Sequence, residues 1–236
     1  MKYDESLAFE LSEGGQSSTL HTYRWTPSAI SLGHHQQLAD LDTNLAAQAG
    51  IDVVRRPTGG RAILHAEELT YCVVMKTRNT SVTEIYEQIS RALVSGIKLL
   101  GLSAEVEKHQ PHFPSLYNES GGMVCFSSSA RHEIKLDGRK LVGSAQRRYV
   151  AKDNSEVVLQ HGSILMGPAH RRIVEFLKIS EDERTALRSE LDRCTTDIQS
   201  ELGRMVPVEE VVEALRAGFE QAWGISFERR EPEFAA

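Results

Sequence analysis

The sequence predicts a mixed α/β protein, and three observations carry that expectation. Segments that alternate apolar and polar residues recur from residue 19 to residue 165. One long stretch, 82–100, instead repeats its apolar residues at helical spacing. Beyond residue 170 the chain turns to charged helices with few strand signals.

The elements follow in order. Residues 4–13 set Leu7, Phe9 and Leu11 among acids and stop at Gly14-Gly15, as a short amphipathic helix does. Thr19–Trp25 alternates with period two, and Ala29–Leu32 reads as a second strand after Pro27. Residues 40–50 have helical spacing and end at Gly50, a C-cap. Ile51–Arg55 is a short strand running into Pro57-Thr58-Gly59-Gly60, and Ala62–Leu64 and Leu69–Met75 are two more. In 82–100, Val82, Ile85, Ile89, Leu93 and Ile97 recur at three- and four-residue intervals. Residues 108–130 hold Pro111, Pro114, Gly121-Gly122 and five serines, and a loop of that length is usually functional or mobile. Ala130–Leu136 and Lys140–Gln146 flank Asp137-Gly138, a hairpin signal, and Glu156–Leu165 follows. Helices are expected at 170–178, 181–191 and 207–222.

At about 150 residues per domain, 236 residues make one large or two small ones. The expectation is one catalytic domain over 1–236: a mixed-sheet core, 1–165, with a mostly helical part, 166–236, packed on it. Hydrophobic residues at 40% and charged residues at 25% exclude a disordered or collagen-like chain. A net charge of −6 gives no broad electrostatic reason to bind nucleic acid or an anionic membrane. Cys72, Cys125 and Cys194 stand far apart with no CxxC and no histidine at zinc spacing, so neither a disulfide framework nor a metal is expected. The N-terminus carries acids inside its apolar stretch, unlike a signal peptide, and no apolar run approaches the ~20 residues of a membrane span. A cytoplasmic chain, expected to be a monomer, is the reading.

Three segments hold chemistry. In Arg55-Arg56-Pro57-Thr58-Gly59-Gly60-Arg61, backbone N–H groups and arginines between strands suit an anion, though a turn with solvated arginines fits equally well. In Gly138-Arg139-Lys140-Leu141-Val142-Gly143-Ser144-Ala145-Gln146, Lys140 shares a strand face with Val142 and Ser144. Its stem is framed by small residues, so burial and a lowered pKa are open to it; an exposed lysine beside a turn is the favoured alternative. In Leu159-Gln160-His161-Gly162-Ser163-Ile164-Leu165, a lone strand histidine is more often structural than catalytic. Cys72 lies on an apolar strand, as inert cysteines do, and Cys194 is incidental in the helical tail. Cys125, in the polar stretch GGMVCFSSSA, is a candidate nucleophile if a cation favours its thiolate.

RRPTGGRAILH, a long helix, CFSSSARHEIKLDGRKLVGSAQRR and LQHGSIL occur in an order that resembles the biotin/lipoate protein ligase and octanoyltransferase superfamily. Within it the chain is most similar to the cysteine-dependent, ligase-like octanoyltransferases. The likeness spans about residues 1–225 and implies a biotinyl/lipoyl ligase catalytic domain with a class II synthetase-like core. It makes Cys125 the acyl-accepting nucleophile and Lys140 the active-site lysine. It places Arg56, Thr58, Gly59, Gly60, Arg61 and His65 with Gly143, Ser144, Ala145, His161 and Gly162 around the acyl and carrier-arm pocket. The implied donor is acyl carrier protein and the implied acceptor a lysine of a lipoyl domain or glycine-cleavage H protein, with no cofactor.

Two departures from the family pattern matter. Lipoate ligases carry a third glycine where this chain has Arg61, which would crowd an adenylate phosphate. Many ligases also add a small C-terminal domain for which 166–236 looks too short. Both favour transferase over ATP- and Mg-dependent ligase, the alternative; a non-catalytic carrier-binding scaffold is the third reading. Relatives also carry a strand ahead of the stretch matching MKYDESL, so a truncated or misassigned start and an exposed sheet edge are expected.

Overall fold

The computed structural model describes residues 1–15, 17–107 and 133–230. The first half of the chain runs α1 (Lys2–Ser12), β1 (Thr19–Tyr23), β2 (Ala29–Leu32), α2 (Thr43–Gln48), β3 (Asp52–Arg55), β4 (Ile63–His65), β5 (Glu68–Thr77) and α3 (Val82–Leu99). The second half runs β6 (Glu105–Val106), β7 (Ile134–Leu136), β8 (Arg139–Val150), β9 (Glu156–Leu165), a 3-10 helix (Pro168–Phe176), α4 (Glu181–Cys194), α5 (Ile198–Leu202) and α6 (Val208–Trp223). The mixed α/β class is therefore the observed one.

Six strands form an antiparallel sheet in the order β1-β5-β9-β8-β7-β6. Three more form a small sheet, β3-β2-β4, in which β2 runs parallel to β3 and antiparallel to β4. Because side chains alternate along β5, its two faces go to different cores. Cys72 and Val74 meet Ala8 and Leu11 of α1, while Tyr71 and Val73 join the larger core with Ile89 and Leu93 of α3 and Phe219 of α6. α1 buries Ala8, Leu11 and, unexpectedly, Asp4, and leaves Phe9 66% exposed. Asp4 is held by His21 Nδ1 at 2.8 Å and by the Tyr23 hydroxyl, which donates to it at 2.9 Å. Burial opposes the Asp4 carboxylate, but these bonds outweigh it and lower its pKa.

Local rules explain most boundaries. Ser81 and Glu84 form a capping box at the start of α3, and Ser180 and Glu183 form one at α4. Ile85, Ile89, Leu93 and Ile97 are buried as the spacing of α3 requires, whereas Val82, in its first turn, is half exposed. Asp137 and Gly138 both take positive φ, 46° and 76°, which is the backbone a two-residue hairpin turn demands. Residues 168–176 form a 3-10 helix rather than an α-helix. α3 and α6 pack backbone to backbone: a Cβ on Gly218 would lie 2.2 Å from the Gly96 nitrogen. No helix among the described residues is long and apolar enough to cross a membrane.

Candidate active site

A cleft of about 380 Å³, open to solvent, lies between the two sheets. β8 and β9 supply Gly143, Ser144, Ala145, His161, Gly162 and Ser163. β5 of the same sheet adds Thr70, and the rest of the lining comes from Arg56 and Gly60 of the loop after β3, Ile63 and His65 of β4, and Met1. Residues far apart in sequence meet here because β8 and β9 pair in register, Ser144 opposite Gly162 and Ala145 opposite His161.

The glycine loop is fastened by its arginines. Arg56, 3% exposed, donates from Nη1 to the Ser31 carbonyl (3.0 Å) and from Nη2 to the carbonyls of Gly59 (3.0 Å) and Arg61 (2.7 Å). Arg55 Nη1 donates to the carbonyls of Gly33, His34 and Gln36 at 2.8–3.0 Å. Both guanidinium groups thus serve backbone carbonyls: Arg56 does so from a buried position beside the cleft, whereas Arg55 stays exposed, as a solvated turn arginine would. Gly60 needs its positive φ of 94°, and Gly33 is required by contact, since a Cβ there would sit 1.8 Å from the Gly60 carbonyl oxygen. Gly59 has neither constraint.

Two histidines hold the cleft together. His161 Nε2 lies 2.6 Å from Thr58 Oγ1, tying the large sheet to the loop, while its buried Nδ1 has no hydrogen-bond partner among the described residues. Burial disfavours the imidazolium, helped by the charges of Arg56 and His65, and its pKa falls to about 3, so His161 is neutral. His65 Nε2 lies 2.7 Å from Ser31 Oγ and Nδ1 3.2 Å from Glu68 Oε1; its ring stacks on Trp25 with centroids 4.4 Å apart. Thr70 donates its hydroxyl to Glu68 (2.7 Å) and so accepts from Trp25 Nε1 (2.9 Å).

Tyr71 reaches across β9 to Ser144, their oxygens 2.6 Å apart. Gly162 lies between their strands, opposite both residues. Burial raises the Tyr71 pKa to about 12, so its hydroxyl stays protonated.

Lys140 is 2% exposed and ion-paired with Glu133, also buried. The exposed lysine favoured from sequence is therefore corrected: the hairpin turns the side chain inward, where Glu133 offsets the burial of its charge. The register also slips between Ile134 and Lys135, so β7 pairs with Val142 and then Lys140, and the simple alternation expected from Lys140 to Ser144 is interrupted. Neither Lys140 nor Thr58, Gly59 and Arg61 lines the cleft among the described residues. Cys125 lies outside the described residues. Cys72 and Cys194 are free thiols whose pKa values burial pushes up, Cys72 well above the usual range, so neither is a ready thiolate. Among the described residues no cluster of three or more His, Cys, Asp or Glu could hold a metal.

Sequence reading missed Ile63, Thr70, Ser163 and the Tyr71–Ser144 contact. Ser163 was within reach, because it shares a strand face with His161 two residues away. Thr70 and Tyr71 enter through long-range pairing that no local pattern announces.

The two-sheet fold is that of lipoate-protein ligases. A bipartite lipoate protein ligase from Thermoplasma acidophilum superposes with TM-score 0.75 at 20% identity, over 97% of this chain and 82% of that one. A lipoate-protein ligase A bound with ATP superposes with TM-score 0.74 at 21% identity, over 97% of this chain and 83% of that one. Residues 1–220 match the model of the lipoyl protein ligase A/B catalytic domain, and the chain belongs to that family. Its similar curated relatives include the octanoyltransferase LipM of Kyrpidia tusciae, 35% identical over 98% of this chain and 85% of that protein. The octanoyltransferase LipM of an Exiguobacterium strain is 33% identical over 97% of this chain and 83% of that protein. The chain is an acyltransferase of this family.

Proposed function

We propose that the protein transfers an octanoyl group from acyl carrier protein to a lysine of a lipoyl domain or a glycine-cleavage H protein, through a thioester on Cys125. The observation that carries this reading is the likeness to octanoyltransferases along nearly the whole chain, the 35% identity to the Kyrpidia tusciae protein covering 98% of it. The cleft supports it: small residues at Gly143, Ala145 and Gly162 and a neutral His161 suit an uncharged acyl chain with one polar end. The loop arginines support it too, being engaged with carbonyls rather than held out toward a nucleotide phosphate.

In this reading the Cys125 thiolate attacks the thioester carbonyl, the carrier thiol leaves, and the acceptor lysine's neutral amine attacks the acyl-enzyme. In the same reading Lys140 stabilises the thiolate by its charge and, in its neutral form, exchanges protons with the leaving thiol and the incoming amine. A thioester is already activated, so the reaction needs neither nucleotide nor metal.

The test is transfer from octanoyl-acyl carrier protein to an apo lipoyl domain and to an apo H protein, without ATP and in EDTA. Intact mass after incubation with the donor alone should show one octanoyl adduct that Cys125→Ala lacks. Strict dependence on ATP with free octanoate as donor, and an active Cys125→Ala, would install the ligase in place of the transferase.

A further inference from the structure

A short connection from the helical tail completes the large sheet beside Lys140. β9 pairs with β8 from Val142 onward and ends at Leu165, so it stops short of Lys140, whose other edge is held by Lys135 of β7. Thr195, between α4 and α5, takes the place of β9 there: it bridges to Lys140 in parallel, and the Thr196 N–H donates to the Lys140 carbonyl at 3.0 Å. The Gln199 N–H donates at 3.1 Å to the carbonyl of Met166, the residue after β9, so the connection carries the sheet on where β9 ends. Connections usually run over the surface, yet Thr195, Thr196 and Asp197 are fully buried. Their side chains are tied down. Thr195 Oγ1 donates to the Leu191 carbonyl (2.6 Å) and lies 2.8 Å from His170 Nε2, and Asp197 accepts from the Ser200 N–H (2.8 Å) and hydroxyl (2.9 Å).

Glu201 joins the two sides of this arrangement. Its Oε1 accepts from Arg139 Nη2 at 2.6 Å and from the Thr196 hydroxyl. One carboxylate oxygen therefore links the residue before Lys140 to the residue that holds its carbonyl. Lys140 carries its charge on a flexible four-carbon stem, so the place of its ammonium is set at two ends: by the Glu133 carboxylate at the tip and by the backbone at the root. We propose that Glu201 is a positioning residue for Lys140, fixing through Arg139 and Thr196 the backbone from which the buried ammonium is presented. This inference rests on the acyl-transfer reading, in which Lys140 serves the thiolate, the leaving thiol and the incoming amine. Glu201 acts only through Lys140. The Arg139 end of the link is partly exposed and adds little to stability, so substitutions at Glu201 are expected to leave the fold in place.

Misplacing a reacting group by about 1 Å costs up to about 10²-fold in rate. Glu201→Ala should lower kcat for octanoyl transfer by about 10-fold or more, with KM for the octanoyl carrier little changed. Glu201→Gln keeps an oxygen that accepts from both Arg139 and Thr196 and should restore most of the rate. A second readout needs no turnover: labelling of amines with acetic anhydride, followed by peptide mass. Lys140 should be acetylated slowly in the wild-type protein and in Glu201→Gln, and at least several-fold faster in Glu201→Ala. The buried Cys72 thiol should stay closed to iodoacetamide in all three, which reports an intact fold. Wild-type kcat in Glu201→Ala, a Glu201→Gln as slow as Glu201→Ala, or equal acetylation of Lys140 with and without the carboxylate would each overturn the inference while leaving acyl transfer intact. Opening of Cys72 in Glu201→Ala would overturn it too, because Glu201 would then hold the whole fold rather than Lys140. A wild-type protein that transfers no octanoyl would instead remove the functional reading, and this inference with it.

Discussion

The ring of Tyr71 passes over Gly162. A Cβ at residue 162 would lie 2.7 Å from Tyr71 Cε1, 2.4 Å from the Gly143 carbonyl oxygen and 3.0 Å from Ser144 Oγ. The glycine is therefore what lets β5 reach β8 across the strand between them. Gly162→Ala should destabilise by about 1–3 kcal/mol, because the obstructing atoms include backbone that cannot step aside. Gly59→Ala, with nothing within 4 Å and no positive φ, should leave stability unchanged or raise it by up to about 1 kcal/mol. Urea unfolding of the two variants checks both, and equal costs would mean the crossing is not constrained as described.

The buried Lys140–Glu133 pair makes a separate prediction. Lys140→Met removes the cation paired with a carboxylate that is only 6% exposed and should cost about 3–5 kcal/mol, as breaking one side of a buried pair does. Lys140→Met with Glu133→Leu should recover much of that loss, since two apolar side chains replace two charges. Denaturant midpoints of the single and double variants decide it; a double variant as weak as the single would show that the pair is not the source of the cost.

Arg56 is expected to be irreplaceable by lysine. Its guanidinium reaches the carbonyls of Ser31, Gly59 and Arg61 at once, a fork that an ammonium on a single stem does not reproduce. Each carbonyl left without a donor costs about 1–3 kcal/mol when buried. Arg56→Lys should therefore lower stability and, by loosening the loop, raise KM for the acyl donor more than it lowers kcat. Thermal melts and initial rates report the two effects separately.

The neutral buried histidines set a pH dependence. Burial lowers the pKa of His170 to about 4, and its Nε2 sits 2.8 Å from Thr195 Oγ1. In the unfolded chain it titrates near 6.5, so between those values the unfolded state binds the extra proton and stability falls as pH falls. From pH 6.5 to 5 the loss should be about 1–2 kcal/mol for this group. His161 adds to the loss in the same direction, toward its own value of about 3. His170→Gln, outside the cleft, should flatten the slope over that window in urea titrations at several pH values. An unchanged slope would mean that His170 is protonated in the folded protein.

What sequence made legible was local. The alternation of Thr19–Trp25, the spacing of α3 and the Asp137-Gly138 turn each state their geometry within a few residues, and the elements form where those signals stand. The motif order likewise pointed to the family. The interior of the site was less legible, because its contacts join Ser144 to Tyr71 and Thr58 to His161, 73 and 103 positions apart. No periodicity records that Arg55 and Arg56 hold carbonyls, or that Lys140 turns inward to Glu133. Such facts depend on which strands become neighbours, and strand order is written in the packing of whole faces.

The backbone contact between Gly96 and Gly218 has a bearing on how the chain can be shortened. α6 supplies Leu215 and Phe219 to the same apolar interior as Ile89 and Leu93 of α3, and no side chain stands between the two helix backbones there. Cutting the chain before residue 207 would uncover that seam and leave a greasy furrow along α3. The expected product is an insoluble polypeptide rather than a smaller working enzyme, and fusion partners or tags belong beyond Trp223, never within α6.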